Sequence, residues 1–271
     1  MRVLLGAIED IAVEAGRLIV ERRARGAAWF LKADGSPVTE ADRLAEGLIL
    51  TRLERLFGEV PVVAEERAAE SGFPSFAGTR YFLVDALDGT KEMIKGSADF
   101  TVNIALIEDG VPTLGVVVAP LRGELYSGHG GRADRALIGP GGEIRERTPI
   151  RTRAPGDRLD AVVSVSHLDA ASEALLARLA ISSRLSIGSS LKFCLVARGT
   201  ADIYPRLTPT NQWDTAAGDA VLRNAGGCTL TADGAPLVYK PAPVAAAGAY
   251  VNNGFVAFGG GLALLRSLLR R

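Results

Sequence analysis

YFLVDALDGTKEMIKGSADFT, residues 81–101, decides how the rest of the chain is read. Tyr81, Phe82, Leu83 and Val84 are apolar strand formers, so they predict a short buried strand. The run stops at Asp85, and Asp88 follows three residues later. Two carboxylates therefore stand just past the end of a buried element. Anions about 4 Å apart in a partly dry cleft repel by about 4 kcal/mol at an effective dielectric of about 20. A cation is expected between them.

Hard divalent ions such as Mg²⁺ take carboxylate and carbonyl oxygens, and this strand end offers both, with the Leu87 carbonyl between the two acids. Gly89 and Thr90 follow at what reads as the first turn of a helix, where unpaired amides favour a phosphate. A competing reading makes Asp88-Gly89 a hairpin turn with Asp85 exposed.

The chain has 271 residues, enough for one large or two modest domains, and its 48% hydrophobic and 23% charged composition is that of a soluble globular protein. Thirty-one basic residues balance 31 acidic ones, so a nucleic-acid partner has no global electrostatic support. The two cysteines, Cys194 and Cys228, sit in apolar stretches and read as free thiols in a reducing compartment, a single bridge being the alternative. Glu9, Asp10 and Glu14 interrupt any signal-peptide core, and no apolar run nears the roughly 18 residues that span a bilayer. A cytoplasmic location is expected, with at most peripheral contact at the inner face of the membrane through the C-terminal arginines.

Apolar residues at spacings of three and four predict a helix over 3–24. A polar loop leads to Thr39-Glu40-Ala41-Asp42 and a second helix, with Thr39 and Asp42 spaced as a capping box. Residues 60–64 read as a strand ending in Glu65-Glu66, a solvated edge by itself or a third oxygen donor if it meets Asp85 and Asp88. Strands are expected over 101–107, 111–119 and 124–126, with Asp109-Gly110 a hairpin turn, then loop and hairpin over 128–142 with a short strand at 133–138. The polar, basic stretch 147–155 is placed at a domain boundary, giving an N-terminal α+β part (1–150) and a C-terminal α/β part (151–271). In the second part strands at 161–165 and 183–187 alternate with helices over 169–180 and, capped by Ser189, up to Arg198. Asp214 opens a helix through Leu222, where it is either a first-turn acid complementing the dipole or a ligand. Strands at 226–230 and 250–257, a turn at Asp233-Gly234 and a helix over 262–269 complete the chain.

Asp85-Ala86-Leu87-Asp88-Gly89-Thr90-Lys91-Glu92 resembles the first signature of the inositol monophosphatase superfamily, with Ala86 where a proline is usual. Trp213-Asp214-Thr215-Ala216-Ala217-Gly218 resembles its second signature, and Lys91-Glu92 with Phe100-Thr101-Val102-Asn103 resembles the bacterial 3'(2'),5'-bisphosphate nucleotidase branch. The likeness extends from Ser36 to Phe255. It implies a sugar-phosphatase fold, a layered αβαβα sandwich of two subdomains with the active site between them. It also implies lithium-sensitive phosphomonoester hydrolysis with two or three Mg²⁺ ions. One ion would be held by Glu65, Asp85 and the Leu87 carbonyl, a second by Asp85, Asp88 and Asp214. Thr90, oriented by Asp42, would polarise the attacking water beside Glu65.

The same resemblance places Glu65, Asp88, Gly89, Thr90, His167, Ser189, Lys192, Arg206 and Asp214 against the substrate, a small phosphate ester. Adenosine 3',5'-bisphosphate, going to AMP and phosphate, is the preferred one. Two departures favour an inositol or sugar-bisphosphate substrate instead: Val165 replaces an arginine, and Gln212 replaces a glutamate expected beside the pocket. A catalytically idle nucleotide-binding regulator is the alternative of a different class, opposed by the intact acid set. A homodimer is allowed by the sequence.

Overall fold

The first long apolar stripe forms α1 (Arg2–Ala24), burying Ile8, Ile11, Ala12, Ala15 and Ile19. The computed structural model describes residues 2–26, 28–32, 35–75, 78–241, 249–260 and 262–269. After α1 comes a small antiparallel hairpin, β1 (Trp29–Leu31) and β2 (Pro37–Thr39), then α2 (Glu40–Phe57). Thr39 caps α2 through the predicted reciprocal box with Asp42.

One large sheet follows, built from β3 (Val62–Ala64), β4 (Arg80–Asp88), β5 (Thr101–Glu108), β6 (Val111–Ala119), β7 (Glu124–His129), β8 (Arg132–Ile138) and β9 (Ile144–Ile150) in that spatial order. Only β3 and β4 run parallel. Short helices α3 (Glu65–Ser71) and α4 (Thr90–Ile94) leave the ends of β3 and β4. Asp109 and Gly110, at φ 52° and 77°, make the tight left-handed turn expected between β5 and β6.

The second half begins with β10 (Leu159–Ser164), α5 (Ala170–Arg178), β11 (Ile181–Ile187), α6 (Leu191–Ala197) and β12 (Ile203–Arg206). Then come β13 (Thr210–Asn211), α7 (Trp213–Asn224), β14 (Cys228–Leu230), β15 (Val251–Asn252), β16 (Phe255–Phe258) and α8 (Leu262–Leu269). Five of these strands form a mixed sheet in the order β11-β10-β12-β16-β14.

Strand β4 alternates between two cores. Phe82 and Val84 join α1 and α2 on one face, whereas Tyr81 and Leu83 join α6, α7 and the inner face of the second sheet on the other. The second sheet's outer face packs on Leu175 and Leu176 of α5 and Leu265 of α8. The layers are therefore αβαβα, as expected. Gly115 permits the central layer, because a Cβ there would sit 2.3 Å from the Ala217 carbonyl oxygen of α7. The close approach carries the first turn of α7 to the mouth between the sheets.

Several local expectations need correction. Residues 144–150 form the edge strand β9, which its mostly exposed side chains do not advertise as a strand. Ser190, not Ser189, occupies the cap position of α6, without a side-chain cap bond; Ser189, at φ 54°, precedes it and its hydroxyl accepts the Leu191 amide at 3.4 Å. The final strand is broken into β15 and β16 at Gly254. Both cysteines are free thiols. Arg266 donates to the Gly234 carbonyl, while Arg270 and Arg271 lie outside the described residues. Among the described residues no helix is long and apolar enough to cross a membrane.

Candidate active site

In a regular strand Asp85 and Asp88, three apart, would face opposite sides of the sheet. A bulge prevents this. Asp85 pairs with Asn103 and Asp88 with Thr101, so three steps on β4 match two on β5, and both acids line one cleft. Asp85 Oδ1 accepts the Leu87 amide at 2.9 Å, which fixes the turn out of the strand. Gly89 then takes φ 94°, and a Cβ at that point would lie 3.0 Å from the Asp99 carbonyl oxygen, so glycine is required there. The chain enters α4 rather than a hairpin.

Glu65 is the first residue of α3, whose N-cap Ala64 offers no side chain to the free amides. Glu46, buried on α2, supplies the cap from a distance: its carboxylate accepts the amides of Glu66 and Arg67, each at 2.8 Å. Glu65 itself accepts Lys32 Nζ at 2.6 Å and Trp213 Nε1 at 3.1 Å, so both halves of the molecule touch it. Asp214, in the first turn of α7, accepts the Thr210 hydroxyl at 2.6 Å. Asp88 Oδ2 accepts the Ser190 amide at 2.5 Å.

Glu65, Asp85 and Asp214 each bring an oxygen within 4.8 Å of the others. Burial, reinforced by Glu65, Asp88 and Asp214, drives the Asp85 carboxyl well above its ordinary pKa. Burial also raises Asp88 to about 6, against the opposing pull of Lys192 and the Ser190 amide. Asp214 is pushed up to about 7 by burial and then by Asp88 and Glu65. A cluster of buried acids raising one another's pKa is short of positive charge. Its donors are all oxygens, so it fits a hard divalent cation such as Mg²⁺.

The cleft has a volume of about 270 Å³. Glu65, Asp85, Leu87, Asp88, Gly89, Thr90, His167, Ser189, Lys192, Arg206 and Asp214 all line it. Asp42 stands one layer behind: its Oδ1 accepts the Thr90 hydroxyl at 3.0 Å, and its Oδ2 accepts the Thr39 amide and hydroxyl. Burial raises the Asp42 pKa, opposed by those hydrogen bonds. Two cations share the cleft with the acids and act on Asp88. Lys192 is buried, donates to the Ser189 carbonyl at 2.5 Å, and lies 5.2 Å above the Tyr204 ring; burial lowers its pKa to about 8. Arg206 lines the same cleft. The His167 pKa is lowered by burial and then by the neighbouring cations Arg206 and Lys91, which favours the neutral ring.

Gln212 corrects an expectation. It is buried behind the cleft, donating to the Lys240 carbonyl at 2.9 Å, and does not line the pocket, so its substitution removes no acid from the substrate wall. Val165 likewise does not line the cleft and is 57% exposed. The residues that sequence reasoning missed are Lys32, Glu46, Thr101, Asn103 and Ser190. The available signal was that Thr101 and Asn103 are polar positions on one face of an otherwise apolar strand.

An acid cluster able to hold a divalent cation shares a cleft between the two sheets with Lys192 and Arg206, an arrangement suited to a phosphatase. Comparison with known proteins agrees. The inositol monophosphatase family pattern matches residues 1–257, and the chain belongs to that family. It is 45% identical over 224 residues to the 3'(2'),5'-bisphosphate nucleotidase CysQ of Escherichia coli K12, covering 83% of this chain and 86% of that one. The Salmonella typhimurium protein of the same name is 40% identical over 254 residues, covering 93% and 98%. Among solved structures, CysQ from Bacteroides thetaiotaomicron superposes with a TM-score of 0.78 at 34% identity, covering 96% and 98%. Thermotoga maritima IMPase shares the fold, with a TM-score of 0.75 at 22% identity, covering 100% and 96%.

Proposed function

We propose that this phosphatase is a Mg²⁺-dependent, lithium-sensitive 3'(2'),5'-bisphosphate nucleotidase that converts adenosine 3',5'-bisphosphate to AMP and phosphate. The observation that carries this reading is the pair of cations. Lys192 and Arg206 share one cleft with the acid cluster, so a substrate with a second anionic group has a partner for it that a monophosphate would not use. The names of the relatives above point the same way.

Glu65, Asp85, the Leu87 carbonyl, Asp88 and Asp214 would hold the cations. When bound, Mg²⁺ supplies Lewis acidity to the phosphoryl group and its attacking water. The chain supplies the rest. The Thr90 hydroxyl has Asp42 Oδ1 at 3.0 Å and the Leu87 carbonyl at 3.1 Å as acceptors for its one proton; with that proton donated to Asp42, and the carbonyl turned to a cation, its lone pairs would accept a proton from the attacking water. As that proton reaches Thr90 Oγ1, the hydroxyl proton passes to Asp42, whose raised pKa suits an acceptor. The Gly89 and Thr90 amides hold the phosphate that leaves, while neutral His167 and Ser189 contact the nucleotide. The decisive assay is product identification: AMP with an intact 5'-phosphate supports the reading, and adenosine 3'-phosphate contradicts it.

A further inference from the structure

We infer that Ser190, acting with Asn103 and Thr101, is a positioning residue that sets the Asp88 carboxylate for its cation and does so from across the two halves of the fold. The inference rests on the cation site proposed above and concerns three side chains that are not cation ligands, of which Ser190 lines the cleft.

Thr101 and Asn103 come from β5 of the large sheet, and Ser190 stands at the start of α6 in the second half. Ser190 Oγ donates to Asn103 Oδ1 at 2.7 Å. A hydroxyl has one proton, so the 2.9 Å contact between Ser190 Oγ and Thr101 Oγ1 is made by the Thr101 hydroxyl. With its oxygen thus occupied, the Asn103 amide turns its NH₂ to Asp88 Oδ2, at 3.5 Å. The Ser190 backbone amide reaches the same oxygen at 2.5 Å. Asp88 Oδ2 therefore receives the Ser190 amide and the Asn103 NH₂, with Thr101 Oγ1 a further 3.5 Å neighbour, and among the described residues Oδ1 receives no hydrogen bond. One oxygen is held and the other is left for a cation.

The circuit is buried. Thr101 and Asn103 are fully buried, and Ser190, which lines the cleft, is 3% exposed. It is also held from behind. Ser189 adopts φ 54°, a conformation that favours glycine, while Lys192 Nζ grips its carbonyl oxygen; together they aim the Ser190 amide at Asp88. Such outer contacts tune a ligand's orientation and with it the affinity of the site.

The test is Mn²⁺ titration of the metal-free full-length protein, followed by the electron paramagnetic resonance of the free ion, alongside Mg²⁺ dependence of turnover. Ser190→Ala is expected to weaken Mn²⁺ about tenfold, the low end for such contacts, and to raise the Mg²⁺ half-saturation more than it lowers kcat. Ser190→Thr, which keeps the hydroxyl, is expected to restore Mn²⁺ binding. Asn103→Leu, approaching from the other half, is expected to weaken it as well. Circular dichroism confirms that each variant is folded. Wild-type Mn²⁺ affinity in folded Ser190→Ala overturns the inference and leaves the nucleotidase reading standing. Weakened Mn²⁺ binding in an enzyme that ignores adenosine bisphosphate supports the inference and removes the substrate reading instead.

Discussion

Asp42 and Thr90, 48 residues apart, are joined by a 3.0 Å hydrogen bond from the Thr90 hydroxyl to Asp42 Oδ1, while Asp42 Oδ2 closes the capping box on Thr39. One carboxylate thus ties the start of α2 to the start of α4. The two roles suggested by sequence are compatible because they use different oxygens.

That division separates two variants. Thr90→Ala removes the proposed proton path but no cap, so kcat is expected to fall by about 10²- to 10³-fold with little change in urea midpoint. Asp42→Asn disturbs both, and is expected to lose activity together with about 1 kcal/mol of stability. An Asp42→Asn enzyme that is destabilised but turns over normally would contradict the Asp42–Thr90 relay.

Removing a charge from the acid cluster should cost activity without costing the fold. Asp88→Asn and Asp214→Asn are each expected to abolish most turnover, because a proposed cation ligand is lost while the cost of burying an ionised carboxylate is relieved. Calorimetry should show a metal-free Tm at pH 8 equal to or above that of the wild type, and a smaller rise on adding Mg²⁺. A large fall in metal-free Tm would contradict the cluster's electrostatics.

The same cluster predicts how stability depends on pH. Asp88, Asp214 and Glu66 have pKa values raised to about 6, 7 and 7, chiefly by burial. These groups bind protons more tightly folded than unfolded, so their contribution is full below the ordinary carboxylate range and lost as pH rises through those values. The metal-free protein should therefore lose Tm between about pH 4 and 7, and Mg²⁺ should raise Tm more at pH 8 than at pH 6. The opposite order would show that the carboxyls are not held protonated.

Glu46 makes no contact with the cleft, yet it fixes the helix that carries Glu65. Glu46→Ala strands two amides at the start of α3, with an expected cost of about 2 kcal/mol and a weaker response to Mg²⁺. Chemical denaturation and Mg²⁺ titration of turnover check both parts, and an unchanged Mg²⁺ dependence would restrict Glu46 to stability.

What could be read beforehand was local. The apolar run before Asp85, the glycine turn at Gly89 and the first-turn acid Asp214 each declare themselves within a few residues, but β4 does not stop at Asp85: it runs on through a bulge to Asp88, so both acids lie within the strand and not past its end. The rest depends on residues far apart in sequence. Lys32 meets Glu65 across 33 positions, Trp213 meets it across 148, and Ser190 meets Asp88 across 102. No periodicity encodes such meetings. Strand β9 is illegible in the sequence for a different reason: an exposed edge strand has no alternation to display. Gln212 was misplaced because adjacency to Asp214 along the chain does not decide which side of the helix start faces the cleft.

The most direct test of the central claim is phosphate release with Mg²⁺ from adenosine 3',5'-bisphosphate and inositol 1-phosphate side by side, each with and without lithium. A higher kcat/KM for the nucleotide, inhibited by lithium, is the predicted result. Equal or better turnover of inositol 1-phosphate would contradict it, and would mean that Lys192 and Arg206 do not serve a second phosphate.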